Sequence, residues 1–391
     1  MSHYKYLIVG GGMTADAAVR SIRKTDQNGS IGLFSLEDDP PYDRPPLTKG
    51  LWKGRPLERI WRKTADHGAK LHLGRKVEQL DTDLHRVFDD QGAEYSFDKL
   101  LLATGGEPIR LPGMPDKVIY FRTLKDYQKL RKLTETHQRF VVIGGGFIGS
   151  EIAVALANLN KQVSMLFLED GIGARIFPAG LSGFLNEYYR SHGIEVLPNQ
   201  SVSTIKTHGE QMTVKTKSGQ EIQADGVVAG LGIRPNVELA RQAGLVIENG
   251  IVVDKNLQTS QPDVYAAGDV ISFYSPVLDV RMRVEHEDNA NVSGTIAGQN
   301  MAGIPTAYTT LSYFYSDLFD LGYEAVGELN PAYEIIEDWQ ELNRKGVLYY
   351  TREGRVRGVL LWNVWSKIDA ARALIAESGP FKASDLIGKI K

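Results

Sequence analysis

The sequence predicts an α/β fold, two βαβ units followed by an α+β domain, on three observations. A short apolar run ends in a glycine turn at Gly10-Gly11-Gly12 and another at Gly144-Gly145-Gly146; each turn opens a helical stretch, then a second apolar run that closes on acidic residues. The 40 glycines are about a tenth of the 391 residues, above a background of roughly 7%, and they cluster at such turns. Residues 308–391 abandon the pattern and become rich in β-formers.

In chain order, residues 4–9 form the first strand, the turn carries Ala15 at its last small-residue position, and a helix runs to residue 24. Residues 31–36 form the second strand, which closes on Glu37, Asp38 and Asp39. Residues 71–97 alternate between short segments and turns at 81–83 and 89–92, a small β-meander. Residues 100–106 read as a buried strand ending in the threonine–glycine turn at Thr104-Gly105, with a domain crossing at 111–113. The second copy begins with a strand at 140–143 and completes the pattern G-x-G-x-x-G at Gly144, Gly146 and Gly149, with Phe147 and Ile148 inside it. A helix over 150–158 and a strand over 163–168 lead to Glu169 and Asp170. Residues 227–232, ending at Gly232, and 264–269, ending at Asp269, are further apolar strands that close on glycine. A helix follows Glu285-His286 and runs to about residue 301. The last stretch is β-rich over 346–362, with a helix over 366–376.

Composition excludes several classes. With 42% apolar and 24% charged residues, and a net charge of −3 from 45 basic and 48 acidic side chains, nothing favours a nucleic-acid or membrane-surface partner. No run approaches the ~20 apolar residues that span a bilayer, and the start lacks a signal-peptide core, so a cytoplasmic protein without a membrane span is expected. The absence of cysteine excludes a disulfide framework, a thiolate metal site and a redox dithiol. The eight histidines show no ligand spacing with carboxylates, so no metal is expected.

The paired turns point to two Rossmann-like dinucleotide sites. The first glycine makes the tight turn, the second lets the backbone approach a pyrophosphate, and the third small residue brings helix and strand together. The helix N-terminus then offers free N–H groups and a partial positive charge to phosphate. An acidic residue at the end of the following strand accepts ribose hydroxyls, a role assigned to Glu37 and Glu169. Glu169 would repel a 2′-phosphate, and Arg175, the nearest arginine, lies where it blunts that preference without reversing it.

These units, with Ala266-Ala267-Gly268-Asp269, resemble the two-dinucleotide flavoprotein reductases, the pyridine nucleotide-disulfide oxidoreductase superfamily. Pro41-Tyr42-Asp43-Arg44-Pro45-Pro46-Leu47-Thr48-Lys49 is similar to the signature of its ferredoxin-reductase and apoptosis-inducing-factor branch. The segments 167–171, 176–178, 283–290, 292–294, 313–317 and 322–325 lean toward the apoptosis-inducing-factor side. The amino-terminal anchoring region and inserted loop of the animal proteins are not visible, so no apoptotic role is carried over.

The resemblance implies FAD in residues 1–113 and 236–307, NAD(P)H in 114–235, and an α+β interface domain in 308–391. It implies that Lys49 pairs with Glu151 beside the flavin N5 and that Arg44 serves the FAD pyrophosphate. Asp269 would accept a ribityl hydroxyl, and Glu285 and His286 would lie at the flavin, with the following helix N-terminus stabilising the charge created by reduction. By the resemblance, Phe314 and Tyr315 would stand where the family has its aromatic pair at the flavin, with Tyr315 in place of the usual tryptophan. Gly10, Gly12, Ala15, Thr104 and Gly105 complete the FAD set, and Gly232 joins the NAD set.

The implied activity is hydride transfer from NADH to flavin N5, with electrons then passing to a ferredoxin-like protein, a quinone or oxygen. Without cysteine, the thiol-dependent reductases and peroxidases of the superfamily are excluded. The competing reading is a redox sensor whose NADH-reduced complex controls dimerisation, and a homodimer is expected in either case.

Overall fold

The computed structural model describes residues 2–391 and divides them into two compact units. The first comprises residues up to 44, Pro56–Glu107 and Arg234–Ser312; the second comprises Pro45–Arg55, Pro108–Ile233 and Tyr313–Lys391.

In the first unit, β1 (Ser2–Val9) leads through the glycine turn into α1 (Met13–Thr25) and β2 (Ile31–Phe34). The strands β3 (Ala69–His72), β4 (Val77–Asp81), β5 (Arg86–Asp89) and β6 (Glu94–Leu102) complete a sheet ordered β3-β2-β1-β6-β5-β4. β1 pairs in parallel with β2 and β6, so Val9 lies opposite both Phe34 and Leu102. The last segment of the predicted meander and the buried strand after it are one continuous element, β6. One edge of β6 pairs with β1, while its other edge meets β5 antiparallel through residues 94–96 and then Val264–Ala266 in parallel through residues 100–102. The chain therefore gains nothing by breaking at Asp98, and Leu100, Leu101 and Leu102 are fully buried between the faces. The helix Glu287–Met301 lies against α1, where a Cβ at Gly294 would fall 2.4 Å from the Thr14 carbonyl oxygen. Tyr308 closes this unit, its hydroxyl donating to Asn289 Oδ1 at 2.7 Å and its ring lying edge-on to Phe273.

In the second unit, five parallel strands are ordered Ile194–Leu197, Gln162–Leu166, Arg139–Ile143, Gly226–Ala229 and Ile119–Tyr120. Helices α2 (Leu124–Thr136) and α3 (Phe147–Asn158) belong to this layer. Thr123 caps α2 by a capping box with Asp126. A three-stranded antiparallel sheet, Val202–His208, Gln211–Thr216 and Glu221–Ala224, shares an apolar core with it through Val214, Met212 and Val141. The C-terminal sheet is antiparallel, ordered Tyr313–Leu318, Leu321–Gly327, Arg355–Trp362, Lys345–Arg352 and Glu334–Glu341. It packs within this same unit. Tyr350 donates to the Ile176 carbonyl at 2.6 Å, and the Phe177 ring lies edge-on to Tyr323 and Trp362.

Candidate functional site

Two cradles stand at the C-terminal edges of the parallel sheets. In the first unit Gly10 has φ +125°, its N–H donates to the Phe34 carbonyl at 2.8 Å, and a Cβ there would sit 2.0 Å from the Ala103 carbonyl oxygen. Only glycine fits. Gly12 caps α1, and a Cβ on it would meet no protein atom within 4 Å. In the second unit Gly144 repeats the arrangement, with φ +114° and a Cβ position 2.3 Å from the Gly230 carbonyl oxygen, and Gly146 repeats the open position at the start of α3. At Gly149 a Cβ would stand 1.9 Å from the Gly144 carbonyl oxygen, whereas its counterpart Ala15 accommodates its methyl in a fully buried position. Space that a single Cβ would fill, in front of the free amides of a long helix, fits the diphosphate of a dinucleotide in both units.

The carboxylates beside the cradles are already oriented. Glu37 Oε1 accepts from Arg44 Nη2 at 2.5 Å, Glu37 Oε2 accepts from the Tyr42 hydroxyl at 2.6 Å, and the Arg44 guanidinium lies 5.2 Å from the Tyr42 ring. Arg44, expected from the sequence at the pyrophosphate, is paired with Glu37 in the structure. Tyr42 fixes Glu37 in a role that carries no local sequence signal. In the second unit Glu169 Oε1 accepts from Arg175 Nε at 2.6 Å, and Nη2 of the same guanidinium lies 2.6 Å from that oxygen in an ion pair. A carboxylate has about four acceptor sites, so each retains capacity for ribose hydroxyls.

Thr104 and Gly105 are locked by Asn236, a residue the sequence did not single out: Thr104 Oγ1 donates to its carbonyl at 2.7 Å, while its side-chain amide and backbone N–H donate to the Thr104 and Gly105 carbonyls. Asp269 lies in the short turn Gly268–Val270, and Arg283 Nη1 reaches its carbonyl at 3.3 Å and Glu285 Oε1 at 2.8 Å. His286 is the N-cap of Glu287–Met301. Its Nδ1 is shielded from solvent, and burial pulls the imidazole down to about 4, with the charge of Asp269 opposing. The ring is therefore neutral at pH 7, and positive potential at this end comes from the helix terminus.

A neutral, half-buried imidazole whose Nδ1 is shielded from solvent ties stability to pH. Between about 6.5 and 4 the unfolded chain binds a proton that the folded chain does not, so this contribution is full above 6.5 and disappears as pH falls through about 4. The expected loss is on the order of 2–3 kcal/mol. Thermal unfolding at pH 7 and pH 5 should show a drop of a few degrees that His286→Phe removes; an equal drop in the variant assigns the acid sensitivity elsewhere.

The second unit gathers the remaining candidates. Lys49 Nζ donates to Glu151 Oε1 at 2.6 Å and lies 5.1 Å from the Tyr315 ring centre. Phe147, the first residue of α3, is 40% exposed and edge-on to Phe314 at 5.2 Å. Ile148 sits behind the turn, where a Cβ on Gly230 would meet it at 3.2 Å, and Gly232 has φ +88° with Ile109 nearest to its Cβ position. Lys49, Phe314 and Tyr315 belong to the unit that holds the second cradle. Among the described residues no group of three or more His, Cys, Asp or Glu is arranged to hold a metal, and no helix is long and apolar enough to cross a membrane.

Comparison with known proteins gives three kinds of match. The family described as pyridine nucleotide-disulphide oxidoreductase matches residues 4–294, and the one described as apoptosis-inducing factor, mitochondrion-associated, C-terminal, matches residues 334–377. The chain is 33% identical to apoptosis-inducing factor 1, mitochondrial, of Dictyostelium discoideum, over 96% of its own length and 79% of that protein's. It is also 33% identical to the 5,5'-dehydrodivanillate O-demethylase ferredoxin reductase subunit of Sphingobium sp., over 96% and 94%. Among solved structures, the covalent putidaredoxin reductase–putidaredoxin complex superposes with a TM-score of 0.91 at 28% identity, covering 98% of this chain and 95% of that one.

Proposed function

Because the chain belongs to the pyridine nucleotide-disulphide oxidoreductase family, and is an FAD- and NAD(P)H-dependent oxidoreductase of ferredoxin-reductase type, we propose that it takes electrons from NADH and passes them to a ferredoxin-like iron–sulfur protein. The observation that carries this reading is the pair of open glycine cradles, at Gly12 and Gly146, in a chain without cysteine. Bound FAD supplies a centre that accepts a hydride and releases electrons one at a time. In this reading residues 1–113 and 236–307 bind FAD, 114–235 bind the nicotinamide nucleotide and 308–391 form the interface domain. The α1 amides and Arg44 offset the FAD diphosphate charge, Glu37 orients the adenosine ribose, and Lys49, held by Glu151, supplies a cation at the flavin N5. His286 and the helix behind it stabilise negative charge on the flavin ring. The place of work is the cytoplasm, as a homodimer.

The purified protein should be yellow, and heat release should yield FAD rather than FMN. Anaerobic titration with NADH should bleach it, and a ferredoxin-type acceptor should restore the colour far faster than a quinone or oxygen. Slow reoxidation by every acceptor, with NADH-induced dimerisation, would instead favour a redox sensor, a reading supported by the C-terminal match to apoptosis-inducing factor.

Glu169 should set the choice of nucleotide. NADH is expected to exceed NADPH by at least about tenfold in kcat/KM, or roughly 1.4 kcal/mol. The Glu169–Arg175 pair limits the preference, because Arg175 can leave the carboxylate for a phosphate. The ratio should fall in Glu169→Ala and rise in Arg175→Ala; an unchanged ratio in both shows that the adenosine ribose lies elsewhere.

A further inference from the structure

Lys49 is one of three side chains that hold the Glu151 carboxylate. Oε1 accepts from Lys49 Nζ at 2.6 Å and from Ser316 Oγ at 2.5 Å, and Oε2 accepts from the Thr48 hydroxyl. Glu151 is 4% exposed, Thr48 6% and Ser316 0%, so the donors work away from solvent. Three stretches of chain converge here: the residues after the prolines, α3 and the strand Tyr313–Leu318. Tyr189 and Tyr323 stand nearby, and burial, reinforced by the charge of Glu151, pushes both phenols far above their usual range. They stay protonated, so neither adds a negative charge beside the ion pair.

We infer that Thr48 and Ser316 are positioning residues that fix the plane of the Glu151 carboxylate and take up part of its charge, leaving more of the Lys49 cation available to the flavin. A buried carboxylate with the ammonium as its sole partner would draw that group close and cancel its field. Each hydroxyl donor offsets some of the negative charge through a charge-assisted hydrogen bond. The placement reinforces this division of labour. Thr48 precedes Lys49, so consecutive residues donate to the two oxygens of one carboxylate. Ser316 follows Tyr315, whose ring lies under the ammonium, so one strand holds both the anion and the cation. This is the support that a precisely placed charge requires.

The inference rests on the reading of Lys49 as the cation beside the flavin, and the test separates the two. In FAD-loaded Thr48→Val and Ser316→Ala the flavin midpoint potential should fall, because the reduced, more negative flavin loses stabilisation. The expected shift is about three- to tenfold in the reduction equilibrium, tenfold being 29.6 mV for a two-electron couple. Reduction by saturating NADH should slow several-fold while the KM for NADH stays within about twofold, and Thr48→Ser should restore both potential and rate. Should Thr48→Val fail to retain FAD, Ser316→Ala decides by the same readouts. Wild-type potentials in the hydroxyl variants, with a shifted potential in Lys49→Met, overturn the inference and leave the reading of Lys49 intact. A wild-type potential in Lys49→Met removes both.

Discussion

Replacing Lys49 by alanine is expected to slow reduction of the bound flavin by on the order of a hundredfold while FAD remains bound. The ammonium is held at 2.6 Å from Glu151 Oε1 with 14% of its side chain exposed, and its short segment is pinned by the Trp52 indole, which donates to the Leu47 carbonyl at 2.7 Å. A cation preorganised where negative charge develops contributes a few kcal/mol to the barrier, and each 1.36 kcal/mol is tenfold in rate. FAD should stay because the first cradle and Glu37 are untouched. Removing the ammonium also leaves Glu151 buried without its cation, which destabilises the fold by up to about 3–5 kcal/mol. The comparison is therefore made on folded, yellow protein by anaerobic stopped-flow; reduction at wild-type speed rejects the assignment.

The largest structural contrast should come from two glycines three residues apart. Gly149→Ala places a methyl 1.9 Å from the Gly144 carbonyl oxygen, so the turn must move. The variant should lose about 1–3 kcal/mol of stability together with nucleotide binding. Gly146→Ala puts its methyl where no protein atom lies within 4 Å and where φ is an ordinary −85°. Its stability should stay within about 0.5 kcal/mol of wild type, while affinity for NADH and for ADP-ribose falls at least about tenfold. Calorimetry with ADP-ribose and a thermal scan together check this, and unimpaired ADP-ribose binding by Gly146→Ala moves the diphosphate away from the turn. Gly10→Ala and Gly12→Ala should repeat the contrast for FAD.

The turns were legible because their cause is local. A chain that must leave a strand at φ above +110° and pass within van der Waals distance of a carbonyl has one residue type available, and Gly10 and Gly144 announce it. The helices that follow, and the acidic residues about 25 positions on, are set by the same short-range geometry. Strand ends were not legible. The second strands were read to residues 36 and 168 but stop at Phe34 and Leu166, the partners of Val9 and Ile143, where the neighbouring strand stops. Leu36 and Leu168 are consequently 73% and 66% exposed, although both are apolar enough to extend a strand by propensity.

The sequence by itself determined the α/β class and both glycine turns, because each follows from residue type and spacing within about 30 residues, and the absence of cysteine over all 391 residues excluded thiol chemistry. The tertiary structure alone decided which groups hold the charged side chains. Thr48 and Ser316 reach Glu151 across 103 and 165 residues of chain, and Asn236 reaches Thr104 across 132. Hydroxyls and amides of this kind are common everywhere, and only burial beside a charge makes one of them matter. The association of the C-terminal sheet with residues 108–233 was decided there as well, since an apolar strand face records that it must be covered but not what will cover it.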